Sequence, residues 1–267
     1  MSEQREESRI RRILIALNAT ERGGLGRTAA VRLATKLHVA LHGLFIEDVD
    51  LLRASALPFA KEISLSGGTQ RPLTFASMEQ SLQAIGGQLR DELAELAREA
   101  NIAWSFDVRR ESLPRALIEA VESEVLVVIG PRDAALNLAR ASRSKPPSWK
   151  AGGPLIVLFD GKASSKRAVG AAIQIRRAVG GRIVVQVLAD EPNKTGKLVA
   201  QATTLASSAD TGPQAEVTGA KTIRDVLEIT HRERASLVLV GADNAILTEH
   251  SLRLLIERIE CPIGVVC

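Results

Sequence analysis

The sequence predicts an α/β fold built as two doubly wound, parallel-sheet domains in tandem. Three observations lead there. Apolar β-type runs alternate with amphipathic helical stripes along the whole chain, the pattern of parallel strands covered on both faces and joined by right-handed crossovers. Each half opens on a strand, a polar residue, a turn and a helix, with Asn18 and Asp160 in the same place 142 positions apart. Each half then repeats a helix face, an apolar strand and a glycine, ending at Gly130 and at Gly241.

In the first half, Ile13-Leu14-Ile15-Ala16-Leu17-Asn18 reads as a strand. The stripe Leu25, Ala29, Leu33 and Leu37 marks a helix, and residues 41–46 a second strand. A long helix over 77–100 is marked by Met78, Leu82, Ile85, Leu89, Leu93 and Leu96, and a strand over 104–108 follows. Leu113, Ala116, Leu117, Ala120 and Val121 form a helix face at i, i+3, i+4, i+7 and i+8, leading into the strand at 125–129.

The second half begins with Leu155-Ile156-Val157-Leu158-Phe159-Asp160, then a Gly-Lys-Ala-Ser-Ser turn and a helix bearing Val169, Ala172, Ile173, Ile175 and Val179. Strands are predicted at 183–188 and 215–217, a helix through Ile223, Val226, Leu227 and Thr230, and a strand over 237–241. A helix with Leu252, Leu255, Ile256 and Ile259 and a strand over 262–267 close the chain. The first half shows no such closing strand. Either it has four strands, or the run 154–159 serves both halves.

The repeat offset falls from 142 at the openings to about 110 at the later strands, so the first half carries roughly 30 extra residues. They are placed at 47–75. Domains are predicted at 10–145, with this insertion, and at 153–267. Asp48 and Asp50 before Leu51-Leu52 fit helix capping. Leu57, Phe59, Ile63 and Leu65 are too apolar for a plain loop, and imply either a cover over the sheet edge or a partner surface.

Composition narrows the function classes. The chain has 267 residues, 45% apolar and 25% charged, which excludes disordered and collagenous classes. Its net charge of +4 is concentrated between 131 and 150, where Arg132, Arg140, Arg143, Lys145 and Lys150 face one acid, Asp133. That pattern argues against a nucleic-acid surface and for a local anion-attracting patch. Acids near the start, at Glu3, Glu6 and Glu7, do not suit a signal peptide, and no apolar run reaches the ~18 residues of a spanning helix. A cytoplasmic protein without membrane insertion is expected. Cys261 and Cys267 would stand roughly 20 Å apart on one strand, so they read as small buried side chains rather than a disulfide.

Three motifs carry little chemistry. Gly24-Leu25-Gly26-Arg27-Thr28-Ala29 fits a dinucleotide fingerprint, but such a fingerprint starts directly at the strand end, and here Asn18 is separated from it. It reads as a loop and the start of a helix. His38 and His42 straddle a helix end and a strand, so they do not share a metal-binding face. No Walker-type phosphate loop and no Ser–His–Asp arrangement is present.

The strand-plus-polar openings at 13–18 and 155–160, the strands ending at Gly130 and Gly241, and the closing Cys261-Pro262-Ile263-Gly264-Val265-Val266 resemble the universal stress protein family in its tandem form. The resemblance covers nearly the whole chain and implies the adenine-nucleotide-α-hydrolase-like version of the fold, with the two halves packed pseudo-symmetrically through the strand at 262–266 like the dimer of single-domain relatives. Nucleotide-binding members carry Asp after the first strand and Gly-x-x-Gly, nine residues, then Gly-Ser or Gly-Thr after the fourth. Here Asn18 and Asp160 fill the Asp slots. Counting from Gly130, the remaining slots hold Asp133, Arg143 and Ser144; from Gly241 they hold Asn244, Leu254 and Leu255. The family comparison therefore implies a degenerate nucleotide motif. Asp160, Gly130, Arg140, Arg143, Ser144 and Gly241 are the candidate binding residues, with the arginines replacing a lost glycine cradle.

The resulting expectation is a non-catalytic protein acting in stress response or regulation through a protein partner, a homodimer or a small anionic ligand, without resident cofactor or metal. The alternatives are a sensor that binds ATP or AMP with weak or no ATPase activity, and a cytosolic regulatory subunit docking on a transporter or enzyme.

Overall fold

Continuous apolar runs on the predicted strands dictate a sheet with two buried faces, and a computed structural model shows how they are covered. It describes residues 10–19, 24–63, 68–120, 125–131, 149–188, 192–207, 215–220, 222–244 and 247–267. The strands of both halves join one nine-stranded sheet, β5-β2-β1-β6-β11-β10-β7-β8-β9. The first half supplies β1 (Arg12–Asn18), β2 (Ala40–Asp48), β5 (Trp104–Glu111) and β6 (Val125–Ile129). The second supplies β7 (Leu155–Phe159), β8 (Ile183–Leu188), β9 (Ala215–Ala220), β10 (Leu237–Gly241) and β11 (Ile263–Val266).

All neighbours in this sheet run parallel except at the seam, where β11 pairs antiparallel with β6 in the register Ile263↔Ile129. This decides between the two topologies left open by the sequence. The first half has four strands, and β7 lies between β10 and β8 rather than beside β6. What the sequence presents as two sheets is one, because β11 satisfies the edge that β6 would otherwise expose.

The helices follow the strand alternation. Ile13, Ile15 and Leu17 face a core covered by α1 (Leu25–Leu37), α3 (Phe75–Glu99), α5 (Ala163–Val179) and α6 (Pro192–Ser207). Leu14 and Ala16 face the opposite core, covered by α4 (Leu113–Ala120), α7 (Ile223–Arg232) and α8 (Glu249–Arg258). Thr74 and Thr222 start α3 and α7 through reciprocal capping boxes with Ser77 and Asp225. Among the described residues no helix is long and apolar enough to cross a membrane.

The cores run through the seam. The fully buried Trp149 donates its ring N–H to Ser236 O at 2.6 Å, while its own carbonyl accepts from Arg32 Nη1 at 2.8 Å. Residues 47–75 form α2 (Val49–Ser55), capped by Asp48 Oδ1, and a two-stranded hairpin, β3 (Lys61–Ile63) with β4 (Gln70–Pro72), outside the main sheet. The helix at 49–55 packs on α3, and Leu65 lies outside the described residues. Leu52 is buried, whereas Leu57, Phe59 and Ile63 are exposed at 45%, 74% and 58%.

Candidate functional site

Open α/β sheets hold ligands beyond the carboxyl ends of their strands. The structure has two such corners with the same register. Ala16 pairs with Ile129 in the first, setting Asn18 near Gly130, and Leu158 pairs with Val240 in the second, setting Asp160 near Gly241. Because the seam is antiparallel, the two corners open at opposite ends of the sheet.

The second corner is occupied by its own side chains. Asp160 follows β7 with a side chain only 13% exposed; its Oδ1 accepts from Lys162 N at 3.1 Å, and Lys162 Nζ stands 3.7 Å from Oδ2. Gly161 between them has φ +83°, and an added Cβ would also lie 2.5 Å from Leu198 Cδ2. Only glycine suits that turn. Across the corner, Ser164 Oγ in the first turn of α5 donates to Asp243 Oδ1, and Lys162 Nζ donates to the Asp243 carbonyl. Arg167 Nε donates to Cys267 O beside them. A carboxylate therefore already sits at the positive end of α5, where an anion would bind.

Gly241 is explained by packing. A Cβ there would fall 2.2 Å from Ser164 Oγ and 2.7 Å from Ser165 N, so α5 starts directly against the strand end. The motif slots after it are filled by structure as well. Asn244 is buried at 4% exposure and closes a turn onto Gly241 O at 3.0 Å, while Leu255 is buried in α8 as part of the core. Neither offers a bare backbone or a hydroxyl to a phosphate.

The first corner is built differently. Gly130 is buried just past β6. Helix α1 begins at Gly24 (φ +66°), with no side-chain cap and no acid in its first turn. Arg27, in that turn, is buried at 8% exposure on the stripe Arg27, Val31, Ala34. Its Nη2 meets Glu92 Oε2 at 3.0 Å and lies where a Cβ on Gly24 would be 3.1 Å away. Its Nη1 is buried with no hydrogen-bond partner among the described residues. A guanidinium beside the positive end of a helix, with one donor unmatched, is an anion-seeking arrangement. Arg140, Arg143, Ser144 and Asp133 lie outside the described residues.

Sequence reasoning passed over Arg27, although a charge on an i, i+4, i+7 stripe with Val31 and Ala34 is the signal that finds it. The self-occupation of the second corner by Asp243 had no comparable signal. The dinucleotide-like glycines behave as expected, Gly24 capping α1 and Gly26 buried within it. His38 ends α1, and His42 on β2 shares a hydrogen bond with Ser105 Oγ at 2.7 Å and lies 3.4 Å from Asp107. Among the described residues, no group of three or more His, Cys, Asp or Glu side chains could hold a metal ion. Neither cysteine is in a disulfide. Burial pushes the Cys261 thiol up to about 12, whereas Cys267 is only half-buried, unlike the sequence expectation.

No family model matches the sequence, and no curated protein matches it. Solved structures do. A universal stress protein from Archaeoglobus fulgidus DSM 4304 is 11% identical, with 97% of each chain covered and a TM-score of 0.60. A universal stress protein in complex with cAMP is 23% identical over 44% of this chain and 98% of its own, with a TM-score of 0.36. The cytoplasmic domain of a prokaryotic cation chloride cotransporter is 10% identical over 96% of this chain and 94% of its own, with a TM-score of 0.43.

Proposed function

We propose that this chain, which has the universal stress protein fold, is a non-catalytic binding protein that takes a small anionic ligand at the first corner. It would act in regulation through that ligand or a protein partner. In this reading residues 10–145 and 153–267 are two tandem domains of unlike competence. The first domain's corner seeks an anion, and the second supplies its own. The observation that carries the reading is Arg27, buried at the uncapped start of α1 with no hydrogen-bond partner for Nη1 among the described residues. A buried unmatched donor costs about 1–3 kcal/mol, so its retention is accounted for by a ligand that matches it. Gly130, Arg140, Arg143 and Ser144 follow the same corner in sequence and would extend the site toward larger anions such as AMP or ATP.

Arg27→Met tests this, because Met fills similar apolar space and leaves the 39%-exposed Glu92 carboxylate to solvent. Inorganic phosphate, AMP and ATP are titrated against both proteins by thermal shift and calorimetry, with ATP turnover measured alongside. The expected result is a ligand-dependent rise in Tm for the native chain, about 2.7 kcal/mol of stabilisation at a hundredfold excess over Kd. That rise should be lost in Arg27→Met, which without ligand should be as stable as the native chain or more so. An anion response unchanged by the substitution, or ATP hydrolysis above the buffer rate, overturns the reading.

A further inference from the structure

A second concavity lies away from both corners, between α3 and the edge strand β5. The face of α3 turned toward β5 carries Glu79, Gln83, Gly87 and Arg90, spaced as one helical stripe. At one end the stripe is closed. Arg110 on β5 donates from Nε to the buried Glu47 at 2.9 Å and from Nη2 to Glu79 at 2.7 Å, so one positive charge is shared between two carboxylates. In the middle the stripe is bare. A Cβ on Gly86 would come within 2.9 Å of the Phe45 ring, so that glycine is required by packing. A Cβ on Gly87 would meet nothing within 4 Å.

Glycine inside a helix costs roughly 0.5–1 kcal/mol against alanine, and no crowding demands it at Gly87. The gap leaves a cavity of about 390 Å³, inside the range of about 300–1,000 Å³ usual for small-molecule sites. Its apolar lining is largely aromatic, with Phe45, Trp104 and Phe106 among its walls. The charges around it balance, Arg110 and Arg90 against Glu47 and Glu79, but Arg110 is engaged by both carboxylates whereas Arg90 makes no ion pair among the described residues.

We propose that this groove binds a planar aromatic carboxylate, its ring against Trp104 and Phe106 and its carboxylate on Arg90, with Gly87 keeping the space open. Aromatic stacking and one charge-assisted hydrogen bond are the two interactions the walls offer such a molecule. The proposal is independent of the first corner, since no residue is shared.

The test uses 2-naphthoate, with the uncharged 2-naphthamide as its isostere, followed by calorimetry and by the two tryptophan indole N–H signals in nitrogen–proton NMR spectra. Naphthoate should shift the Trp104 signal and leave that of Trp149, whose ring N–H is bonded to Ser236 O. Naphthamide should bind at least about tenfold more weakly. Arg90→Gln should reduce naphthoate to the naphthamide level. Gly87→Leu fills the gap without touching the backbone; it should raise Tm and abolish binding. Absence of binding at millimolar naphthoate, equal affinity for the amide, or undiminished binding in a folded Gly87→Leu protein overturns the proposal.

Discussion

Gly241→Ala separates a packing glycine from a phosphate-cradle glycine. The new Cβ would sit 2.7 Å from Ser165 N and 2.8 Å from Ser164 C, both backbone atoms in the first turn of α5. No rotamer change relieves that overlap, so the start of α5 must move outward by roughly 0.7 Å to regain ordinary contact. A gap of that size forfeits about a quarter to a half of each dispersion contact it opens. The helix it lifts buries Ala168, Val169, Ala171, Ala172 and Ile175. Overpacking of this kind costs about 1–3 kcal/mol, and displacing Ser164 from Asp243 adds about 1 kcal/mol. The expected loss is about 3 kcal/mol, read as a lower urea midpoint by circular dichroism and a fall in Tm of roughly 10 °C. Gly264→Ala is the internal comparison. Its Cβ meets only the side-chain methyls Leu239 Cδ2 at 2.7 Å and Leu126 Cδ1 at 2.9 Å, which can rotate, so its loss should be smaller. A Gly241→Ala protein within about 0.5 kcal/mol of the native chain would refute the packing account, and one that also lost nucleotide binding would restore the cradle.

Two further outcomes follow from the seam and the thiols. Trp149→Ala should cost about 3–5 kcal/mol by differential scanning calorimetry, since it empties a fully buried site, and Trp149→Phe should cost less, losing chiefly the bond to Ser236 O. Cys261, held near 12 by burial, should resist an aromatic disulfide reagent at pH 8 until the chain unfolds, while the half-buried Cys267 reacts first. The folded thiol titrates above its unfolded value of about 9, so its contribution is intact below that pH and is lost as pH rises toward about 12. The urea midpoint should accordingly fall less between pH 8 and pH 11 for Cys261→Ala than for the native chain.

Most of the architecture was legible because long apolar periodicities leave little choice. The stripe from Leu82 to Leu96 predicted α3 almost to its ends, and the run at 155–159 coincides with β7. Helix α6 was not read, because Pro192, Asn193 and Gly196 resemble turn residues, although Leu198, Ala202 and Leu205 carry a helical period. The family resemblance implies that the halves join through 262–266, which is where β11 joins them, but whether 154–159 also served the first half was not readable. Parallel and antiparallel partners of β6 look alike in an apolar run, and only the seam distinguishes them. The corners show the same divide. Their positions follow from strand order, but the role of Gly241 depends on how near α5 starts, which no spacing in the sequence encodes.

The contrast between the corners has a common physical root. Each places the start of a helix at a strand end, and each helix start lacks a side-chain cap of its own. Unmatched N–H groups and a positive helix end then require an anion. Two residues beyond Gly241 the chain supplies Asp243, which accepts from Ser164 and closes the requirement internally. Two residues beyond Gly130 it supplies Arg132 instead, a charge of the opposite sign. Arg27, buried in the first turn of α1, brings a guanidinium to the first corner, held on one side by Glu92, where the second has a carboxylate. The register at the two strand ends is the same, but α1 starts from a left-handed Gly24 and α5 from an extended Lys162, so the corners differ in backbone as well as in charge. In the proposed reading an anion from solution completes the first corner, whereas Asp243 already fills that role at the second.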